Sequence, residues 1–159
     1  MVGVASERLR VPRITRTASV NWAGNVARGE GAISGQSGAL DGLPYTLATR
    51  VGDPEGKTSP EELLAAAVGG CFAMSLATEL TQAESPPEQL DVSAACTVDE
   101  VDGQHLVTAV ELRVRGTVPG IDAETFERVA REAEQGCTMA ALVRGSADVT
   151  VDATLEGGT

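Results

Sequence analysis

The feature that most limits how this chain can fold is a run without charged residues at positions 63–78. The run is rich in alanine and glycine, and it is shorter than the ~20 apolar residues that a bilayer-spanning helix needs. Helix-start signals precede it: Ser59 as a cap, Pro60 at the first helical position and Glu62 three residues after the cap. The sequence therefore predicts a buried helix ending near Gln82, and no membrane partner.

Strand-like segments separated by turns lie on both sides of this helix. An Asp-Gly pair at 102–103 joins the two longest segments and predicts a hairpin. In the second of these, alternation places Leu106, Thr108 and Val110 on the inner face. Asp122 caps a further helix that ends near Gln135. The predicted strands are residues 19–24, 31–35, 45–49, 90–101, 104–118 and 147–155, and a second short helix covers 137–143.

This order of elements predicts an α+β fold rather than a doubly wound sheet. The 159 residues are enough for one ordinary domain, which we place at 17–159. Residues 1–16 carry four arginines and are expected to form a basic surface arm. No apolar run follows the arm as a signal peptide would require, so we expect a cytoplasmic protein.

The formal net charge of −11 argues against a nucleic-acid partner, because binding to phosphates needs clustered lysine and arginine. In a reducing cytosol, a structural disulfide is not expected, whereas a transient catalytic disulfide can form.

Three cysteines are therefore the candidate reactive groups. Cys71 lies inside the apolar helix and allows two interpretations, a small core residue or a nucleophile. Cys137 follows Gly136 at the start of the short helix, where backbone N–H groups are expected to lower a thiol pKa. Cys96 lies in a strand and is interpreted as core. Two distant thiols without CxxC spacing predict a redox pair that meets only after folding.

A thiolate in an apolar pocket needs a cation. Arg50 is the better-placed candidate and Arg28 the alternative. Glu61 is expected either to stabilise the helix start or to orient the arginine. Ten residues separate Glu61 from Cys71, about 15 Å along a helix. If both serve one site, either the helix breaks at residues 69–70 or Glu61 reaches a partner's site, which favours a dimer.

Other chemistries have less support. Three scattered cysteines and one histidine do not supply the four organised ligands of a zinc site, so no metal or other cofactor is expected. His105 follows a turn in a strand and is expected at the surface.

At this point the chain resembles the OsmC/Ohr-like family, the osmotically induced and organic-hydroperoxide-resistance thiol peroxidases of bacteria. The resemblance is carried by residues 59–74, which match the family's Pro-Glu-x-Leu and Ala-x-x-x-Cys-Phe pattern, and by Cys137 at its second cysteine. Residues 29–35, 44–45 and 49–50 are similar to the OsmC branch. The likeness covers nearly the whole chain after the basic arm.

The resemblance implies an intertwined homodimer in which antiparallel sheets wrap around central helices. It implies Cys71 as the peroxidatic thiolate, Cys137 as the resolving cysteine, Arg50 as the activating cation and Glu61 as its salt-bridge partner. A hydroperoxide is then the substrate, organic ones being favoured by the apolar surroundings of Cys71, and a lipoyl-type dithiol or small thiol the reductant.

Two departures bear on substrate preference. The family usually has Pro-hydrophobic-Ser after the second cysteine, whereas this chain has Thr-Met-Ala at 138–140, and Val68 stands where OsmC proteins often carry histidine. The alternative function is a non-catalytic protein of this fold that binds a small apolar ligand in the dimer cleft.

Overall fold

The computed structural model describes residues 13–157. The chain forms two compact units, divided between Thr58 and Ser59. The predicted basic arm lies outside the described residues except for positions 13–16, which are exposed.

The first unit contains a three-stranded antiparallel sheet in the order β1-β2-β3. Its strands are Ala18–Ala23, Glu30–Gly35 and Leu43–Tyr45, followed by a short helix α1 at Leu47–Val51. The predicted strand at 45–49 is therefore wrong over most of its length. Thr46 is the reason, because its side chain accepts a hydrogen bond from the backbone N–H of Thr49, the third residue of α1, and so caps a helix there.

The second unit begins with the long helix α2, Pro60–Gln82. The Ser59 side chain accepts a hydrogen bond from the Glu62 N–H at 3.1 Å, as a helix cap does. The predicted start and end of α2 are both confirmed. Only one face is buried, however: the fully buried side chains of α2 are Val68, Phe72, Leu76 and Leu80.

Strands β4 (Gln89–Val101) and β5 (Gln104–Thr117) form the predicted antiparallel hairpin. Asp102 and Gly103 both have positive φ angles, 51° and 78°, as a tight two-residue turn requires. A register shift opposite Thr97 and Val98 interrupts the alternation of β5. Leu106 is 44% exposed as a result, so its predicted inward position is wrong.

Helices α3 (Ala123–Gly136) and α4 (Thr138–Arg144) connect β5 to the last strand β6 (Asp148–Leu155). Asp122 caps α3 as predicted, accepting from the Thr125 N–H at 2.8 Å. Strand β6 pairs with β5 in parallel, so this sheet is mixed rather than antiparallel throughout. The parallel pair is possible because the two helices supply the crossover that it needs.

The core of the second unit lies between the sheet and the three helices. Its centre is formed by buried residues of α2, β5, α3 and α4, and β4 and β6 add half-buried side chains. The observed order of strands and helices confirms the predicted α+β class.

Candidate active site

Cys71 lies in the middle of α2, where it is half-buried and packs against the core. The two glycines before it have different surroundings. A Cβ atom added at Gly69 would lie 3.2 Å from the Cβ of Ala94 on β4, whereas one added at Gly70 would meet nothing within 4 Å. Gly69 thus lets the helix approach the sheet closely, and Gly70 faces open space.

Cys137 lies at the junction of α3 and α4 and is only 1% exposed. Its sulfur accepts a hydrogen bond from the Ala140 N–H at 3.5 Å, which caps α4. Its own N–H donates to the Glu134 carbonyl at 3.1 Å, at the end of α3. Backbone hydrogen bonds therefore hold this cysteine from both sides.

The fold brings Cys137 and Cys71 together. Burial raises the pKa of Cys137 above its ordinary value, and Cys71 raises this pKa further because its side chain interacts with Cys137 through a hydrogen bond and through charge. The N–H groups of Ala140 and Met139 act in the opposite direction. The predicted low pKa of Cys137 is therefore wrong: the thiol is almost fully buried, and desolvation outweighs the helix start.

A hydrogen bond from α2 to α3 lies next to the two thiols. The Ser75 hydroxyl donates to the Ala133 carbonyl at 2.9 Å. Because Ser75 is four residues after Cys71, both project from the same face of α2. Sequence reasoning missed Ser75, although its spacing from the cysteine was a usable signal.

Sequence reasoning also missed Glu134, which is buried on α3 and forms an ion pair with Arg144 on α4 at 2.5 Å. Its position, four residues after the buried Ala130, continues the inner face of α3. A charged residue on a core face is the signal that would have identified it.

Cys96, the third cysteine, and Glu61, the predicted acidic site residue, lie close enough to interact. Burial raises the pKa of Cys96, and the charge of Glu61 raises it further. Cys96 packs against the core as predicted. Helix α2 is continuous through residues 69–70, so Glu61 and Cys71 of one chain are about 15 Å apart along it.

The predicted cations lie in the first unit. Arg50 is an exposed residue of α1, and Arg28 lies in the turn between β1 and β2. Both Arg50 and Glu61 already have interaction partners. The structure thus brings the two thiols together, while the pairing of either arginine with Cys71 stays a prediction.

Arg50 also lines a cleft of about 320 Å³ in the first unit. The rings of Trp22 and Tyr45 lie beside it, with centroids 5.4 Å apart. The other lining residues are Val26, Thr46 and Leu47. Aromatic and aliphatic side chains with one guanidinium suit a small apolar molecule that carries a polar group.

His105 is exposed on β5, as predicted. Among residues 13–157 no group of three or more histidine, cysteine or acidic side chains could hold a metal ion.

Helix α2 is long and apolar enough to cross a membrane, a criterion that the core helix of a soluble protein also meets. Within the chain, 28% of the most apolar stretch of α2 is buried.

Comparison with known proteins gives consistent similarities. The profile of the OsmC-like proteins matches residues 52–152. Peroxiredoxin OsmC of Escherichia coli is 36% identical over 139 residues, covering 87% of this chain and 95% of the relative.

More distant similarities follow the same pattern. An organic hydroperoxide resistance protein of Xanthomonas axonopodis pv. citri is 28% identical over 123 residues, which are 77% of this chain and 84% of the relative. The crystal structure of the organic hydroperoxide resistance protein OhrB of Bacillus subtilis aligns with a TM-score of 0.69 at 23% identity, covering 87% of this chain and 98% of that one. This structural likeness concerns the fold alone.

Proposed function

The chain belongs to the OsmC-like protein family, and we propose that it is a cysteine-based peroxidase that reduces organic hydroperoxides. The observation that carries the proposal is that Cys71 and Cys137, which lie 66 positions apart in sequence, pack into the same core cluster, where Cys71 helps to raise the pKa of Cys137. The names of the relatives, peroxiredoxin OsmC and organic hydroperoxide resistance protein, support a peroxidase role in the family.

In the first proposed step, the Cys71 thiolate attacks the terminal oxygen of the hydroperoxide. The O–O bond breaks, the alkoxide leaves as the alcohol after taking up a proton, and the cysteine becomes a sulfenic acid. The apolar and uncharged neighbours of Cys71 along α2 favour an organic substrate.

In the second step, Cys137 attacks the oxidised sulfur of Cys71. The S–O bond breaks, the oxygen leaves as water with the Cys137 proton, and a disulfide forms. A dithiol of the lipoyl type, or two small thiols, then reduces this disulfide and becomes oxidised itself. No other cofactor enters the cycle.

Arg50 is proposed to stabilise the Cys71 thiolate, with Glu61 as its ion-pair partner. The continuous helix α2 keeps Glu61 about 15 Å from Cys71 of the same chain. We therefore propose a homodimer in which the arginine and carboxylate of one copy serve the thiol of the other. The exposed apolar side chains of the second unit support this, since Met74 is 75% and Leu142 72% exposed.

The test is consumption of cumene hydroperoxide and hydrogen peroxide by the purified protein, with dihydrolipoamide or dithiothreitol as reductant. We expect turnover that prefers the organic peroxide and disappears in Cys71→Ser. Cys96→Ser is the matched control, because it removes a half-buried thiol outside the pair and should retain turnover. Undiminished consumption by Cys71→Ser would refute the proposal, and no turnover by wild type would favour the ligand-binding alternative.

A further inference from the structure

The hydrogen bonds around Glu134 fasten the end of α3 to the end of α4. Its carboxylate accepts from Arg144 Nε at 3.1 Å and from a second guanidinium nitrogen at 2.5 Å. The same nitrogen donates to the Glu134 carbonyl at 3.0 Å. The other carboxylate oxygen accepts from Gln135 Nε2 at 2.8 Å. Both oxygens of this buried group are therefore bonded.

Cys137 lies in the stretch of chain between Glu134 and Arg144, whose side chains form this ion pair. The Glu134 carbonyl, which binds Arg144, also accepts from the Cys137 N–H. The Arg144 guanidinium thus binds Glu134, the residue whose carbonyl accepts from the Cys137 N–H. Arg144 also belongs to α4, the helix whose first turn donates the Ala140 N–H to the Cys137 sulfur.

The opposite side of the thiol pair is fastened by Ser75. Its hydrogen bond to the Ala133 carbonyl joins α2 to α3 one residue before Glu134. With α2 fixed there, the contact between Glu134 and Arg144 ties the last residue of α4 to the end of α3, on either side of Cys137.

We propose that Glu134 and Arg144 are positioning residues for disulfide formation, which hold the Cys137 sulfur against Cys71. The inference rests on the proposed function, since it concerns the step in which the Cys71 sulfenic acid condenses with Cys137. A disulfide forms only within narrow limits of distance and angle. A fixed Cys137 therefore raises its effective concentration toward Cys71.

The primary test variant is Glu134→Gln, which keeps the shape of the side chain and removes its charge. Arg144→Lys keeps the charge and loses the two-nitrogen fork. The matched control is Glu132→Gln, which removes one charge from an exposed ion pair with Arg128 on the same helix. Thermal unfolding of each variant reports whether its fold is retained.

The first measurement is the equilibrium between the Cys71–Cys137 disulfide and a defined dithiol buffer, which requires no peroxide. We expect the equilibrium constant for the disulfide to fall several-fold in Glu134→Gln, because a Cys137 that is held less firmly has a lower effective concentration toward Cys71. The equilibrium constant of Arg144→Lys should lie between that of Glu134→Gln and that of wild type. The equilibrium constant of Glu132→Gln should match wild type.

The second measurement is the ratio of disulfide to Cys71 sulfinic acid after a peroxide pulse. Loss of positioning slows condensation and leaves the sulfenic acid exposed to further oxidation, so Glu134→Gln should show a several-fold lower ratio. An unchanged disulfide equilibrium and ratio in a folded Glu134→Gln would overturn the inference. Failure of the proposed function can be distinguished from failure of this inference. In the first case wild type would lack turnover with peroxide, while the disulfide equilibrium could still be compared between the variants. Absence of the disulfide in wild type would overturn both.

Discussion

Met74→Glu tests the proposed dimer most directly. Met74 lies on α2 four residues after Gly70, at which an added Cβ atom would meet nothing. Its 75% exposure means that the side chain contributes little to the packing of its own chain. The variant should therefore fold, with a stability within about 0.5 kcal/mol of wild type when both are measured as monomers.

The effect on the dimer is much larger. Full burial of a methionine side chain is worth about 1.5–3 kcal/mol. Three-quarters of the Met74 surface remains for a partner, which corresponds to about 1.1–2.3 kcal/mol per copy. A symmetric dimer contains the contact twice, so the loss is about 2.2–4.5 kcal/mol, a factor of about 40 to 2,000 in the dissociation constant. Burial of the two introduced carboxylates in the interface would further weaken the dimer.

Sedimentation equilibrium over a range of protein concentrations measures the dissociation constant. Ser93→Glu is the control, since it adds the same charge at an exposed position of β4. It should dimerise as wild type does. If Arg50 serves the partner's thiol, peroxidase activity of Met74→Glu should fall with dilution in parallel with the dimer. A wild type that is monomeric at every concentration, or a Met74→Glu that dimerises as tightly, would refute the reasoning.

Further predictions concern the thiols and the core. In Cys137→Ser, mass spectrometry after a peroxide pulse should show Cys71 as sulfinic acid, and a reversible single-thiol cycle would exclude Cys137 as the resolving residue. Gly116→Ala should lower the free energy of unfolding in urea by about 1–3 kcal/mol, because the new methyl group would lie 2.5 Å from the Phe126 ring, and Phe126→Leu in the same chain should restore part of it. The raised pKa of Cys137 favours the folded state fully below the unfolded thiol pKa of about 8.5, and this contribution is lost as the pH rises through the folded pKa. In a Cys96→Ala background, the stability should therefore decrease above about pH 8.5, and Cys137→Ala should remove that decrease.

Local signals account for the parts of the fold that the sequence predicts well. Helix α2 is delimited by its capping serine and first-turn proline, and the β4–β5 hairpin by its Asp-Gly turn. Each signal acts through hydrogen bonds or φ angles of neighbouring residues, so it can be read without knowledge of the rest of the chain.

The errors come from interactions that the local pattern does not contain. The five-residue helix α1 depends on one threonine cap, and the exposure of Leu106 depends on a register shift relative to the partner strand. The parallel pairing of β6 with β5 depends on how α3 and α4 cross the sheet. The Cys137 pKa depends on burial, which only the tertiary structure determines.

For the candidate site, residue type was sufficient to identify two cysteines but not to place them. Their interaction across 66 positions follows from the packing of α2 against α3 and α4, with Ser75 and Glu134 as its polar contacts. Polar side chains inside an apolar contact region are poorly predicted by hydrophobic patterns, because those patterns treat them as surface residues.

The raised pKa of Cys137 supports a division of labour between the two thiols. The thiolate is the nucleophile toward peroxide, and a buried thiol that keeps its proton reacts slowly in that step. In the proposed cycle, burial of Cys137 therefore leaves the reaction with the hydroperoxide to Cys71. The same burial slows the second step as well, because a thiol attacks sulfur through its thiolate and a raised pKa lowers the thiolate fraction. The proton that Cys137 gives up in that step is the one that the departing oxygen requires to leave as water.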